Sequence, residues 1–220
     1  MLNLLVNAIM PHYCCSCGAI GAVLCGHCKN DIVADLSAQC FSCLHVVGVR
    51  GAVCLECRVH YKKGWFVGLH RGALREMVGD YKFERMKAAG TTLAELLDES
   101  LPQLPQGTLV ACVPTVRSHG RQRGYDHAVL IAKQFAKVRG MVYCNPLFRA
   151  TNTQQRGVSR RERLRQAQQA FYAQAVKPVT YLLVDDVSTT GATLNYAAKA
   201  LKEAGAKEVW VAVITREPLD

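Results

Sequence analysis

Leu182-Leu-Val-Asp-Asp-Val-Ser-Thr-Thr-Gly-Ala-Thr193 packs a strand, a turn and a helix start into one short segment. An apolar run delivers Asp185 and Asp186 at its exit. Ser188, Thr189 and Thr190 then line a turn with hydroxyls. Gly191 allows close approach of the backbone, and Ala192 and Thr193 open a helical stretch. Backbone N–H groups in such a turn converge on one point, and the helix N-terminus adds partial positive charge. Together with the hydroxyls they suit a monophosphate. Two adjacent carboxylates suit the hydrogen bonds of a vicinal diol, and they can orient a Mg²⁺ ion. An ordinary helix cap would account for one hydroxyl. It leaves the paired acids and the remaining hydroxyls unexplained.

Working outward from this segment, apolar runs alternate with helical periodicity. Residues 109–113, 142–144, 181–184 and 209–214 read as strands. Helices are predicted over 70–81, 88–97, 126–138, 160–170 and 192–204, with Gly140 and Gly205 closing two of them. The segment 101–107, with two prolines and a glycine, reads as a loop. This order predicts an α/β domain with a mostly parallel sheet flanked by helices. Ligands of such sheets sit beyond the carboxyl ends of the strands, where the Asp185–Thr193 segment falls.

The formal charge is +10, and all of it is local. Residues 117–165 hold twelve Lys or Arg against two acids, Asp126 and Glu162; the rest of the chain balances. A positive field of this kind attracts phosphate, in a small molecule or in a nucleic acid. Arg121, Arg123, Arg156, Arg160, Arg161, Arg163 and Arg165 are the candidate nucleic-acid contacts. The competing reading for 160–165 is a solvated helix face. Aromatic residues that could stack on bases, Tyr125, Tyr143, Phe148 and Phe171, lie in or beside this stretch, although some of them must be core.

Nine of the eleven cysteines precede residue 60. Eight form four C-x-x-C pairs: Cys14/Cys17, Cys25/Cys28, Cys40/Cys43 and Cys54/Cys57. This spacing aims both sulfurs of a pair at one tetrahedral ion, so one or two Cys₄ zinc sites are predicted. Sequential pairing closes the shortest loops. A cross-braced arrangement, first pair with third and second with fourth, also fits the spacing. Cys15 is left over and could replace Cys14, whereas Cys112 and Cys144 read as core residues. Disulfides would need an oxidising compartment, and the mildly apolar residues 1–11 make a poor export signal. No run approaches the length of a membrane span. The expectation is a cytoplasmic protein with a cysteine-rich zinc-binding module at 1–62 and an α/β domain at 63–220.

The Asp185–Thr193 segment resembles the PRPP-binding loop of type I phosphoribosyltransferases. The resemblance implies that Asp185 and Asp186 hold the ribose diol. Ser188, Thr189, Thr190, Gly191, Ala192 and Thr193 then hold the 5-phosphate, with Mg²⁺ accompanying PRPP. It implies a pyrophosphate loop at Thr115, Val116 and Arg117, and a cover built from 149–163. A narrower resemblance rests on an ordered set. Four C-x-x-C pairs lead to Tyr81-Lys82-Phe83 and to Arg123-Gly-Tyr-Asp-His-Ala128. Then follow Arg149, the Thr/Gln segment at 151–155, Arg163, Ala170-Phe171 and the Asp185–Thr193 loop. In this order they resemble the ComF family, associated with bacterial competence. That family usually has Asn-Gln where Asp126-His127 stands, and Asn where Gln166 stands.

Membership would imply a role near single-stranded DNA, with proteins of the competence machinery as partners. It leaves open whether PRPP is consumed in a transferase reaction or only sensed. For transfer to a nitrogenous acceptor, Lys82, Arg117 and Arg123 are candidates to stabilise pyrophosphate charge, beside Asp185 and Asp186. The amidotransferase label often given to the family would require a cysteine nucleophile for glutamine hydrolysis, typically N-terminal. The paired cysteines are better used on zinc.

Overall fold

Parallel pairing dominates the computed structural model, which describes residues 12–34, 38–83, 87–114, 126–149 and 170–218. The elements, in chain order, are α1 (Gly26–Ala34), β1 (Lys63–Leu69), α2 (Gly72–Phe83), α3 (Lys87–Ser100), β2 (Leu109–Cys112) and α4 (His127–Val138). They continue with β3 (Val142–Tyr143), β4 (Leu147–Arg149), β5 (Phe171–Ala173), β6 (Thr180–Ser188), α5 (Ala192–Glu203) and β7 (Glu208–Arg216). Five strands form one sheet in the order β1-β7-β6-β2-β3, every pair parallel. β4 and β5 form a separate antiparallel ribbon.

Side chains along the central strands alternate between two cores, as the two-residue period of a strand dictates. Val110, Cys112, Leu182, Val184, Ala212 and Ile214 face one core, which is filled by α2, α3 and α4. Ala111, Tyr181, Leu183, Val209, Val211 and Val213 face the other, filled by α5 and by Leu147 and Phe171 of the ribbon. A sheet covered on both faces explains why β7 is buried over nearly its whole length.

The expected helices over 70–81, 88–97, 126–138 and 192–204 are present, with ends shifted by a few residues. Asp126 caps α4, its side chain accepting from the Val129 amide at 3.3 Å, and Gly140 follows the end with φ 62°. The expected helix over 160–170 lies almost entirely outside the described residues. β1, β4 and β5 were not expected, and among the expected strands β6 departs furthest. β6 does not end at Val184 but runs to Ser188, because its pairing with β7 continues through Asp185↔Val213, Val187↔Thr215 and Ser188↔Arg216.

The sheet order places the site. From β2 the chain moves outward to β3, then returns on the other side of β2 as β6. The carboxyl ends of β2 and β6 therefore flank the reversal of strand order, where α/β sheets open a crevice. Among the described residues no helix is long and apolar enough to cross a membrane.

Candidate functional site

Asp185 and Asp186 sit half-buried near the carboxyl end of β6. Each carboxylate turns one oxygen onto the next backbone amide. Asp185 Oδ1 accepts from Asp186 N at 2.9 Å, and Asp186 Oδ1 accepts from Val187 N at 2.7 Å. Thr189, Thr190, Ala192 and Thr193 are exposed around Gly191, whose φ of 77° is the left-handed conformation that favours glycine. No side chain caps α5 at Gly191. Thr190 Oγ1 instead accepts from Ala192 N at 3.3 Å. Ser188 differs from its neighbours. It is buried, and its Oγ has no hydrogen-bond partner among the described residues. Its carbonyl accepts from Glu217 N at 2.9 Å and from Arg216 Nη1 at 3.2 Å.

The ribbon brings further charge to this end of the sheet. Arg149, at the end of β4, lays its guanidinium over the Phe171 ring, 5.2 Å from the centroid. Burial lowers its pKa, and the Asp185 carboxylate opposes that shift. Arg149 and Asp185 therefore share one electrostatic neighbourhood. On the outer face of the ribbon Phe148 stacks on Tyr172, with centroids 5.3 Å apart and planes at 17°, and Tyr172 is 55% exposed. Phe171 is core, and Tyr143 is half-buried, its hydroxyl 3.2 Å from Cys112 Sγ. Burial is the main cause that pushes the Cys112 thiol up to about 12, so it stays neutral, as a core thiol should. Asp126 and Asp185 both add to that rise, which places both charges near the end of β2.

Several predicted residues are not part of this picture. Thr115, Val116, Arg117, Arg121, Arg123, Tyr125, Arg156, Arg160, Arg161, Arg163 and Arg165 lie outside the described residues, as does most of the expected 149–163 cover. Lys82 lies on α2, without a described side chain.

The cysteine pairs gather sequentially. Cys14, Cys17, Cys25 and Cys28 form one group and Cys40, Cys43, Cys54 and Cys57 another, with all sulfurs of a group within 4.8 Å of one another. Zinc–sulfur bonds of about 2.3 Å in a tetrahedron place sulfurs about 3.8 Å apart. The observed Sγ separations include 3.6 Å for Cys17–Cys25, 3.4 Å for Cys43–Cys54 and 3.9 Å for Cys40–Cys57. Four thiols at these spacings fit zinc in both groups. Backbone amides also favour the thiolate. Burial raises the pKa of Cys14 and of Cys40, but amide donors outweigh it and bring them down to about 6 and about 7. Cys15 is not a ligand: its thiol faces the Ala73 carbonyl, at 3.9 Å.

Arg216 escaped the sequence reading. It ends β7 and is fully buried. Its Nε donates to Phe41 O at 3.1 Å and its Nη2 to Ser42 O at 3.0 Å, while Nη1 donates to Ser188 O. The available signal was an arginine following the apolar run Val209–Thr215, a position where a strand still paired on both sides has no water for a charge.

The model of the phosphoribosyl transferase domain family matches residues 150–219. Competence protein F of Haemophilus influenzae is 29% identical over 205 residues, covering 86% of this chain and 88% of the relative. Competence protein ComFC of Streptococcus pneumoniae is 27% identical over 193 residues, covering 84% of each. Among solved structures, a glutamine phosphoribosylpyrophosphate amidotransferase from B. subtilis, complexed with ADP and GMP, matches 58% of this chain and 26% of its own, at 21% identity and a TM-score of 0.42. A structure described as the allosteric regulatory enzyme of purine biosynthesis matches the same share, with 25% of its own chain, 22% identity and a TM-score of 0.43.

Proposed function

The chain belongs to the ComF/ComFC family as a distant member, and from that premise we propose that it binds a 5-phosphorylated ribose of the PRPP type, with Mg²⁺, beside single-stranded DNA. The observation that carries the reading is the end of β6. Two half-buried carboxylates lead directly into an exposed hydroxyl-rich turn that opens α5, at the point where the strand order reverses. In this reading Asp185 and Asp186 hold the ribose hydroxyls and help place Mg²⁺. Thr189 to Thr193, with the uncapped start of α5, hold the 5-phosphate. Ser188 contributes through its backbone, since its hydroxyl faces inward. Thr115, Val116 and Arg117 are proposed for the pyrophosphate.

Single-stranded DNA would follow the positive stretch, with Arg121, Arg123, Arg156, Arg160, Arg161, Arg163 and Arg165 on phosphates. The Phe148–Tyr172 stack, with its tyrosine exposed, offers the base platform that such a track needs. Zinc in both Cys₄ groups completes the folded protein, and reduced thiolates fit a reducing compartment such as the cytoplasm.

The test is the anisotropy of a labelled single-stranded oligonucleotide, titrated with zinc-replete protein at several salt concentrations, with and without Mg²⁺ and PRPP. Binding should weaken steeply with salt. PRPP should change it in the wild type and not in the double variant Asp185→Asn/Asp186→Asn, whose affinity for PRPP should fall at least about tenfold. Absence of oligonucleotide binding at low salt would defeat the DNA part. The arginines would then serve the pyrophosphate alone, and acceptor screening for a transferase would follow.

A further inference from the structure

A fully buried guanidinium needs more than carbonyl dipoles, because burying an unpaired charge costs several kcal/mol. Four carbonyls receive the Arg216 donors: Phe41, Ser42, Ser188 and, at 3.4 Å, Glu217. No carboxylate lies within ion-pair distance of it among the described residues. Burial disfavours its charge, while Tyr61, Cys40 and Glu217 each act in the direction that favours it. Phe41 and Ser42, which it grips, are the two residues between the ligands Cys40 and Cys43. Zn²⁺ bound to four thiolates carries a net charge of −2. Zinc in the second group would therefore add a negative centre on the side of residues 41–42 to the contribution of the Glu217 carboxylate.

We propose that Arg216 is the counter-cation of the Cys40/Cys43/Cys54/Cys57 site and a positioning residue of the phosphate turn, so that metal in this site alone sets how firmly the turn holds a 5-phosphorylated ribose. The proposal rests on the ribose-phosphate reading of that turn. The same guanidinium that holds the 41–42 carbonyls holds the Ser188 carbonyl, and Thr189 begins the exposed turn at the next residue. A second tie reaches the far side of the turn. Just beyond Cys57, the His60 amide donates to Asn195 Oδ1 at 2.7 Å, on the first turn of α5. Tyr61 then meets Phe41 edge-on, with ring centroids 5.6 Å apart. Chain within the second cysteine group and just beyond it thus ties both ends of the turn 189–193. The first group makes no such tie among the described residues. Its Lys29 pairs instead with Glu99 on α3 at 2.7 Å, and its Cys14, Val23, Leu24 and Cys28 enter the other core.

The coupling is a linkage, so it must act in both directions. Zinc-loaded full-length protein would be compared with Cys43→Ser, Cys17→Ser and Arg216→Lys. The readouts are bound zinc, amide hydrogen exchange over 187–195, calorimetric titration with ribose 5-phosphate, and chelator extraction of zinc with and without that ligand. Cys43→Ser should weaken ribose 5-phosphate binding about tenfold and speed exchange over 187–195. Cys17→Ser should lose zinc to the same extent but leave both readouts within about twofold of wild type. Arg216→Lys keeps the charge but not the planar fork that reaches several carbonyls. It should keep both zinc ions and still loosen the turn. In the wild type, ribose 5-phosphate should slow chelator extraction from the second site only, an effect that a purely structural arginine would not produce. Equal effects of Cys43→Ser and Cys17→Ser, or unchanged exchange in Arg216→Lys, would overturn the coupling. Wild-type protein that ignores ribose 5-phosphate, yet shows the predicted exchange pattern, would defeat the ribose-phosphate reading and leave the mechanical coupling standing.

Discussion

The two cysteine groups are built alike and attached differently. In each, the amide of the third ligand donates to the sulfur of the first: Cys25 N to Cys14 Sγ at 3.4 Å, and Cys54 N to Cys40 Sγ at 3.4 Å. Each turn is closed by a short antiparallel bridge, Tyr13↔Ile20 in one and Gln39↔Val46 in the other. The residue after the first ligand decides the attachment. In the first group it is Cys15, half-buried, with its thiol against the Ala73 carbonyl at the start of α2. In the second it is Phe41, fully buried in the core shared with α5. Ligand spacing therefore specifies the metal turn, while the side chain between the first two ligands differs with the face of the sheet on which it docks.

The strongest way to break this comparison is to remove that side chain. Phe41→Ala should cost about 3–5 kcal/mol, the usual loss for a buried phenyl ring. Cys15→Ala, at the matching position, should cost less than about 1 kcal/mol. Denaturant unfolding of the zinc-loaded proteins measures both. Similar losses would show that the first group depends on its own inter-ligand residue as heavily as the second does, and the contrast would fail.

A smaller effect comes from the floor on which Phe41 rests. A Cβ at Gly64 in β1 would lie 2.6 Å from both Cβ and Cγ of Phe41 and 3.0 Å from Val211 Cγ2. Those Phe41 atoms sit next to its backbone and cannot swing away, so the 41–42 turn must shift. Gly64→Ala should destabilise the protein by about 1–3 kcal/mol. It should also speed zinc loss from the second group before the first. Gly68→Ala, on the same strand, meets only Leu74 Cδ1, the far end of a flexible side chain, at 2.5 Å. It should cost less and leave zinc retention unchanged. Chelator-competition kinetics on the two variants distinguish these outcomes.

These positions also show what the sequence could and could not disclose. β2, β6 and β7 were legible because a parallel sheet covered on both faces demands unbroken apolar runs. β1 was not, since Lys63-Gly-Trp-Phe-Val-Gly-Leu69 carries two glycines; they are there to admit Phe41 and Leu74. The ribbon strands β4 and β5 are three residues each and pair across a long intervening segment, which no local pattern reveals. α1 starts inside the Cys25/Cys28 pair, which was read for its ligand spacing, and runs on to Ala34. At the site, Asp185, Asp186 and the hydroxyl turn were readable as a local motif. The inward turn of Ser188 and the role of Arg216 depend on the register of β6 against β7, a long-range pairing. The same holds for the cysteines: spacing named the ligands, with Cys15 as a substitute for Cys14, and loop length favoured sequential grouping without excluding a cross-braced one; the folded chain separates them.

The finest difference between the groups lies in one backbone angle. Gly18 N donates to Cys14 O at 2.8 Å, and Leu44 N makes the matching bond to Cys40 O at 2.9 Å. Both residues are left-handed, with φ of 74° and 61°, and Leu44 is the non-glycine residue in that region among those described. A left-handed conformation costs an ordinary residue roughly 1–2 kcal/mol. Glycine avoids that strain but loses about 0.5–1 kcal/mol more conformational entropy on folding. Leu44→Gly should therefore stabilise the second turn by less than about 1 kcal/mol, read as a modest rise in its resistance to a chelator. The reciprocal change, Gly18→Leu, should weaken zinc retention in the first. If Leu44→Gly instead destabilises the second group, packing of the half-buried leucine outweighs the strain of its backbone. The second turn would then owe its position to two side chains, Phe41 and Leu44, rather than to one.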